Sequence, residues 1–351
     1  MEQINNHISR YKSSIRNFIF PYLFCLAIII GPAYNMYVHY DFSHSIDTES
    51  YLAMSIDNFT VNPVHRYRII IPILAKITAI PIKLVYIKLW PHRAESLWPL
   101  QLSYFIVNSF LSALYGWVVY KLIRLYSNHL FAILIGLTAI LTSRWMTYIA
   151  GLPLTDSLYL VVIVTLLYSI KTRNTILYSL VVLTGALSKE SFLLFIPFLL
   201  IAGPFNWFKQ TFLILGGTLI LLGEHYLIDY IYPVQKIVTS IKHENLLEIL
   251  IRHSAEIKIT ITDLLSIRGL GELFTVLGIF SFVIIYGFIQ SDSRKFLLIN
   301  IEKYYSIFFM CIVLHALLSG DVARMFYFGS ALYALIITLV IEQSKSSKSV
   351  S

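Results

Sequence analysis

Charged residues are scarce in this chain: Asp, Glu, Lys and Arg make up only 13% of its 351 residues. A soluble globular protein carries about 25%. The scarcity excludes a soluble enzyme, a disordered protein and a nucleic-acid-binding domain, although the formal net charge is +8. The basic residues are scattered between apolar runs, and on a membrane protein such an excess mainly sets the orientation in the bilayer.

Cysteine is equally rare. Cys25 and Cys311 both lie inside apolar runs, so the sequence predicts no disulfide framework and gives no information on the redox compartment. The ten histidines include no pair at zinc-site spacing, and there is no P-loop, Rossmann fingerprint or G-x-S-x-G motif. Nucleotide-dependent and serine-hydrolase chemistry are therefore not predicted.

Long apolar runs dominate instead, with 57% hydrophobic residues and a mean hydropathy of +0.73. They predict an all-α, polytopic transmembrane helix bundle that forms a single integral membrane domain over 1–351. A spanning helix needs about 20 mostly apolar residues. On that basis we predict ten crossings, at 18–38, 98–119, 130–147, 157–170, 175–189, 191–204, 211–229, 272–290, 304–319 and 324–341.

The apolar stretch 69–89 is excluded from this count. It contains Pro72 and Pro81, and Lys76 and Lys83 are seven positions apart, on one face of a helix. This pattern favours an interfacial helix, with a further crossing as the alternative. With ten crossings the inner segments hold thirteen of the 27 Lys and Arg and only four acids, in agreement with the positive-inside rule.

The predicted organisation follows from these crossings. The first helix, 18–38, is preceded by basic residues but is too long for a cleaved signal peptide, so we expect it to be retained with a cytoplasmic N-terminus. An outer loop with interfacial helices spans 39–97, core helices span 98–229, a second outer loop spans 230–271, and the last three helices span 272–342. Residues 242–252 are predicted to form an amphipathic helix. Residues 343–351 are predicted to form a cytoplasmic tail that is disordered from Ser344 onward.

Charged residues collect at the predicted outer ends of the helices. Ionisable groups near membrane depth are costly unless they are paired or line a wet cavity, so their convergence on one face predicts a site. The alternative is that they are separate interfacial charges whose side chains extend to water. The residues concerned are Arg144, Asp156, Lys189, Glu190, Asp321 and Arg324, together with Asp41, Asp47, Glu49, Asp57, His65, Arg66 and Arg68 of the first outer loop.

Three short stretches carry a resemblance to a known family. They are Asp47–Tyr51 followed by Asn62–Pro72, then Gly151–Asp156 with Gly185–Glu190, and finally Gly320–Arg324. In order, spacing and predicted side, this set resembles GT-C-type polytopic membrane glycosyltransferases and their bacterial relatives, in which an acid beyond the first helix precedes an Arg-x-x-x-Pro entry to an interfacial segment. The chain departs from that pattern in lacking an Asp-x-Asp pair and a large C-terminal soluble domain.

The resemblance implies transfer of a sugar from a polyprenyl-phosphate donor to a glycan, lipid or protein acceptor on the outer face of a membrane, here a bacterial inner membrane. A carboxylate must take the proton of the acceptor hydroxyl, and cations must stabilise the leaving phosphate. Asp47 is the predicted base, or else a helix cap. Asp156 is the second catalytic acid, or else part of an N-cap with Thr155.

The remaining site residues are assigned to substrate. Arg66, Arg68, Lys189 and Arg324 are predicted to bind the donor phosphate. Their acidic neighbours Glu190 and Asp321 are assigned to the same substrate-binding site. The alternative is purely structural pairing, for example Arg324 with Asp321 at i,i+3. Asp47 and Asp156 also permit a Mg²⁺ or Mn²⁺ site, although their spacing does not require one. His65 is more simply interpreted as a loop histidine.

Other functions compete with this one. A lipid-linked glycan polymerase or ligase of the cell envelope would share the outer acids and would rely on the 230–271 loop. A secondary transporter would need charges at mid-membrane depth and an internal repeat; Glu224 and His225 come nearest to such a pair. A purely structural subunit would need no converging acids.

Overall fold

The computed structural model describes residues 2–42, 45–233, 257–319 and 321–348, and within these ranges it is all-α, with no strand. The amphipathic helix predicted over 242–252 lies outside the described residues. The helices of the first half are α1 (Glu2–His39), α2 (Ile46–Ser55), α3 (Ile70–Leu89), α4 (Pro91–Ala94), α5 (Trp98–Ile123), α6 (Leu130–Leu141), α7 (Arg144–Gly151), α8 (Asp156–Lys171) and α9 (Thr175–Ser188).

The second half begins with a 3-10 turn over Glu190–Phe195 that leads into α10 (Ile196–Ala202). It continues with α11 (Trp207–Ile231), α12 (Ile267–Leu277), α13 (Ser281–Ile289), α14 (Ser291–Asn300), α15 (Tyr304–Ser319), α16 (Val322–Tyr327) and α17 (Ser330–Lys348). Helix α17 therefore extends through residues 344–348, which we had expected to be disordered.

Within the described residues, five helical stretches are long and apolar enough to cross a membrane, and the number rises to seven if each of two bent helix pairs is one span. The five are Phe18–His39, Ile70–Leu89, Trp98–Ile123, Trp207–Ile231 and Ile267–Ile289. These helices confirm the prediction of a helical membrane protein, and the count of ten crossings stays a prediction.

Several predicted crossings are broken. The run 130–147 is not one straight helix, because α6 and α7 meet at 61°. The break has a local cause: the Ser143 side chain accepts from the backbone N–H of Trp145 and so caps the start of α7. The run 324–341 is likewise divided between α16 and α17.

Helix α5 forms the centre of the bundle and packs against α1, α3 and α8. Small residues allow the closest approaches. A Cβ at Gly116 of α5 would lie 2.8 Å from Cys25 Sγ of α1, and one at Gly151 would lie 2.7 Å from the carbonyl oxygen of Ala33. Close backbone contact at small residues is a main source of helix association in a bilayer, where lipid is as apolar as the side chains. Cys25 is accordingly a packing residue.

The loops separate into two groups at opposite ends of the bundle. At one end Lys171 pairs with Glu302, which also accepts from Tyr126, and Lys345 lies 4.0 Å from the centre of the Phe131 ring. All of these residues belong to, or border, segments predicted on the inner side. Asp47, Asp156, Lys189 and Arg324, four of the charged residues predicted on the outer side, meet at the other end.

Helix α3 contacts this end of the bundle at two positions along its length. Near its start, Ser55 Oγ donates to the carbonyl oxygen of Pro72 and contacts the hydroxyl of Tyr104. Near its other end, Lys83 pairs with Glu95, three residues before α5 begins at Trp98. Both contacts therefore lie near the first two turns of α5.

Candidate functional site: a buried charge network

Four charged side chains from distant segments meet at this end of the bundle. Asp47 lies in the first turn of α2, Asp156 is the first residue of α8, Lys189 follows the last residue of α9, and Arg324 lies in α16. We call these four residues the charge network. The fold thus brings together the two predicted acids and two of the predicted phosphate-binding cations.

Arg324 joins the two acids. Its Nε donates to Asp156 Oδ2 at 2.9 Å, its Nη1 donates to Asp47 Oδ2 at 2.7 Å, and its Nη2 also donates to Asp156 Oδ2. Asp321, the structural partner considered from the sequence, is farther away, at 3.7 Å from Nη1. The planar fork of arginine suits this double contact, which a lysine could not reproduce.

Lys189 completes the network from the other side of Asp156. Its Nζ lies 2.9 Å from Asp156 Oδ1 and 4.8 Å from the centre of the Phe328 ring. The Asp156 side chain is 0% exposed and the Lys189 side chain 6% exposed. Buried charges are tolerated only when they are well paired, and the two carboxylates here balance the two cations. Asp156 lies out of reach of a soluble substrate and holds Arg324 and Lys189 in place.

Asp47 is the more accessible acid, with 24% of its side chain exposed. Burial raises its pKa, but the hydrogen bond from His65 and the charge of Arg324 outweigh burial and hold the pKa well below its usual range. The side chain does not cap α2: the N-cap is Ser45, which makes no side-chain cap bond. Asp47 is therefore an ionised carboxylate that reaches the surface of the network.

His65 was interpreted from the sequence as a loop residue, yet it contacts Asp47. Its Nε2 lies 3.0 Å from Asp47 Oδ1, and its Nδ1 lies 3.1 Å from Ser50 Oγ, one turn further along α2. The ring therefore fixes the orientation of the Asp47 carboxylate relative to α2. The only sequence signal was its position beside Arg66 in the first outer loop.

A second group of contacts surrounds the network. Arg68 Nε donates to Glu190 Oε2 at 3.0 Å and its Nη1 donates to the hydroxyl of Tyr51 at 3.2 Å. Thr155 Oγ1 donates to the same hydroxyl at 3.3 Å and makes no cap bond for α8. Tyr51 thus connects Arg68 with the residue before Asp156, a role that its place in the sequence did not indicate.

Arg66 lies apart from the network. Its Nε donates to Asp229 Oδ1 at 3.1 Å, and its Nη1 donates to the carbonyl oxygen of Phe59 at 2.6 Å. Asp229 belongs to α11 and was not among the predicted site residues. Arg66 therefore ties the first outer loop to the end of α11, and nothing in the spacing of the sequence pointed to this pair.

The two acids as arranged do not fit a divalent cation between them. Asp156 Oδ1 faces Lys189, Asp47 Oδ1 faces His65, and both Oδ2 atoms accept from Arg324. Among the described residues no group of three or more His, Cys, Asp or Glu could hold a metal ion. A metal between these carboxylates would have to displace the Arg324 guanidinium, so the metal site stays a prediction.

In comparisons with known proteins, no family model, no curated protein and no solved structure matches the chain.

Proposed function

We propose that this chain is a membrane glycosyltransferase that transfers a sugar from a polyprenyl-phosphate donor to an acceptor hydroxyl at the end of the bundle that holds the charge network. The observation that carries the proposal is the meeting of Asp47, Asp156, Lys189 and Arg324, from four separate segments, within hydrogen-bond distance of one another. One carboxylate of this set is accessible and one cation contacts it, which is what displacement of a phosphate by a hydroxyl requires.

In the proposed reaction Asp47 takes the proton of the acceptor hydroxyl. The acceptor oxygen bonds to the anomeric carbon, the bond from that carbon to the phosphate oxygen breaks, and polyprenyl phosphate leaves with the bonding electrons. Without donor, Arg324 Nη1 donates to Asp47 Oδ2. When the donor phosphate binds, it accepts the Nη1 hydrogen bond instead of Asp47. Asp47 Oδ2 is then free of the cation, and the Asp47 carboxylate becomes a stronger base.

The lipid part of the donor has an apolar cavity available nearby. A cavity of about 640 Å³ lies among α12, α13, α15, α16 and α17 and is lined mainly by side chains such as Leu277, Ile284 and Phe326. The lining extends from Phe326, in the same short helix as Arg324, to Glu302 and Lys303 at the opposite end of the bundle. In the proposal the prenyl chain occupies this apolar space and the phosphate lies at the α16 side of it.

The orientation in the membrane belongs to the same proposal. We infer that the charge network faces outward, because the opposite end carries the predicted excess of Lys and Arg. Helix α3 then lies along the outer interface, since Pro72 and Lys83, eleven positions apart, both contact residues at the network end of the bundle. Both termini are then cytoplasmic, as in a bacterial inner-membrane transferase.

Native mass spectrometry of the gently extracted full chain tests the donor class. Wild type is compared with Arg324→Lys, which keeps the charge but loses the double contact, and with Arg268→Lys, whose side chain is 90% exposed. We expect a bound polyprenyl-phosphate sugar in wild type and in Arg268→Lys, and at least a tenfold lower occupancy in Arg324→Lys. Only phospholipid in all three, with no turnover of supplied polyprenyl-phosphate hexoses, would contradict the proposal.

A secondary transporter is the second candidate, and one observation favours it. Glu224 and His225 lie within the candidate span Trp207–Ile231, and Glu224 Oε2 and His225 Nε2 are buried without a hydrogen-bond partner among the described residues. Ionisable groups inside a span often mark a transport path. Proton-coupled uptake by reconstituted protein that is lost in Glu224→Gln but retained in Asp47→Asn would favour transport over transfer.

A further inference from the structure

A second cavity lies beside the charge network and takes no part in the proposed reaction. It has a volume of about 660 Å³ and lies between the end of α1, one face of α2 and the start of α5. Its lining combines aromatic side chains with carboxylates: Tyr37, Tyr40, Phe42 and Trp98 with Asp41 and Glu49. Glu49 is two residues from Asp47, so its side chain leaves α2 on nearly the opposite face.

The charge of this cavity is of one sign. Two acids line it, and within the described part of the chain no Lys, Arg or His belongs to the lining. Glu49 is exposed and forms no ion pair with any described residue. The carboxylate of Asp47, two residues before Glu49, in contrast pairs with Arg324 and His65. A negatively charged or phosphate-only ligand is therefore disfavoured here, and a cation is favoured.

The aromatic rings add to this preference. The Phe42 ring centre lies 6.2 Å from that of Tyr37 and 6.1 Å from that of Tyr40, with the rings inclined at 50° and 66°. At these distances the three rings pack against one another and form one aromatic wall of the cavity. Trp98 makes a cation–π contact within the protein: the guanidinium carbon of Arg93 lies 4.9 Å from the centre of its ring. Aromatic faces combined with acids form the usual recognition site for an ammonium group.

The level of the cavity indicates where its ligand would come from. Helix α1 ends at His39 and α5 begins at Trp98, and both are candidate membrane spans. A cavity between these two ends lies where helices leave the apolar part of a bilayer, which is the level of lipid headgroups and of interfacial aromatic residues. Its apolar lining, which includes Leu52 and Ile56, suits the first carbons below a headgroup.

We propose that the cavity formed by Tyr37, Tyr40, Phe42, Trp98 and Glu49 binds an ammonium group, carried by a phospholipid headgroup or by a soluble amine. Glu49 pairs with the ammonium charge, and the wall formed by Tyr37, Tyr40 and Phe42 lies beside it. The site is separate from the charge network, and binding to it can be measured without enzymatic turnover. Its test is therefore independent of the proposed transferase activity.

Lipid retention tests the headgroup source directly. The purified full chain is delipidated, given equal amounts of phosphatidylethanolamine and phosphatidylglycerol with the same acyl chains, and analysed by native mass spectrometry. The variants are Glu49→Gln and Phe42→Leu, and the matched control is Glu95→Gln, which removes an exposed carboxylate at the same end of the bundle but outside the cavity. A parallel arm measures thermal stabilisation by millimolar glucosamine.

We expect wild type and Glu95→Gln to retain phosphatidylethanolamine at least tenfold better than phosphatidylglycerol, and both cavity variants to lose that preference. Stabilisation by glucosamine that disappears in Glu49→Gln, without any lipid preference, would support the ammonium site and assign it to a soluble amine. Equal retention of the two lipids with no effect of glucosamine would overturn the proposal. A lipid preference that survives in Glu49→Gln would overturn the placement of the site.

Discussion

Asp156 and Arg324 are 168 positions apart in the chain, yet two nitrogens of the Arg324 guanidinium donate to the same carboxylate oxygen of Asp156. Both side chains are buried, at 0% and 9% exposure. This contact fixes the start of α8 against α16 and determines the direction in which the third guanidinium nitrogen faces Asp47. The buried acid thereby sets the position of the cation that contacts the accessible acid.

Removing the buried acid should cost stability. Asp156→Asn leaves one uncompensated cation in the charge network, and breaking a buried ion pair typically costs about 3–5 kcal/mol. The double variant Asp156→Asn with Lys189→Met restores the charge balance, so we expect it to be less destabilised than the sum of the single variants. Thermal unfolding in detergent measures this, and additive losses would show that the two residues are not coupled.

Asp47→Asn should abolish transfer and leave the fold intact. The substitution keeps the shape and removes the base, whose contribution is on the order of 10² to 10⁴ in rate. The control is Asp57→Asn, an acid of the same loop that pairs with Lys76 at the surface. Bound donor should remain in both variants. Turnover by Asp47→Asn near the wild-type rate would remove Asp47 from the mechanism.

The low pKa of Asp47 has a consequence for stability against pH. Because its pKa is lowered in the folded state, Asp47 stabilises the fold fully above its unfolded value of about 3.9, and this contribution is lost as the pH falls further. The stability difference between wild type and Asp47→Asn should therefore stay constant from pH 8 to pH 5 and shrink below about pH 4. A stability difference that changes between pH 8 and pH 6 would show that the difference is set by a group other than the Asp47 carboxyl.

Much of the architecture could be predicted because it depends on local pattern. The apolar runs marked most of the helices, and the charges at helix ends marked Asp47, Asp156, Lys189 and Arg324 as neighbours, since acids at membrane depth need partners. The helix break at Thr142–Ser143 was less accessible, because a serine within an apolar run is compatible with both a continuous helix and a cap.

The partner of each charge could not be predicted. Arg66 and Arg68 are two positions apart and were treated alike, yet Arg68 contacts Glu190 and Arg66 contacts Asp229. Those choices depend on where α11 and the 3-10 turn pack, which is a tertiary property. The contact of His65 with Asp47 has the same origin, since the turn between α2 and α3 brings the ring back over α2.

The position of α3 can be tested by accessibility. We expect Lys76→Cys and Lys88→Cys, which lie toward opposite ends of α3, to react with an impermeant maleimide from the same side of the membrane. Lys209→Cys, at the start of α11, should react only after permeabilisation. The native cysteines are buried, Cys25 at 0% and Cys311 at 4%, so their background labelling should be low. Labelling of Lys88→Cys from the opposite side to Lys76→Cys would make α3 a crossing.

Removal of divalent metal should leave transfer unchanged. The Arg324 guanidinium occupies the space between Asp47 and Asp156, and it supplies the positive charge that a metal would otherwise bring to the leaving phosphate. Assays after treatment with EDTA, and after re-addition of Mg²⁺ or Mn²⁺, should therefore agree within about twofold, well below the effect of removing a general base. If activity falls with EDTA and returns with Mg²⁺, the prediction is wrong: a metal takes part in transfer, and Arg324 must leave the two carboxylates during turnover.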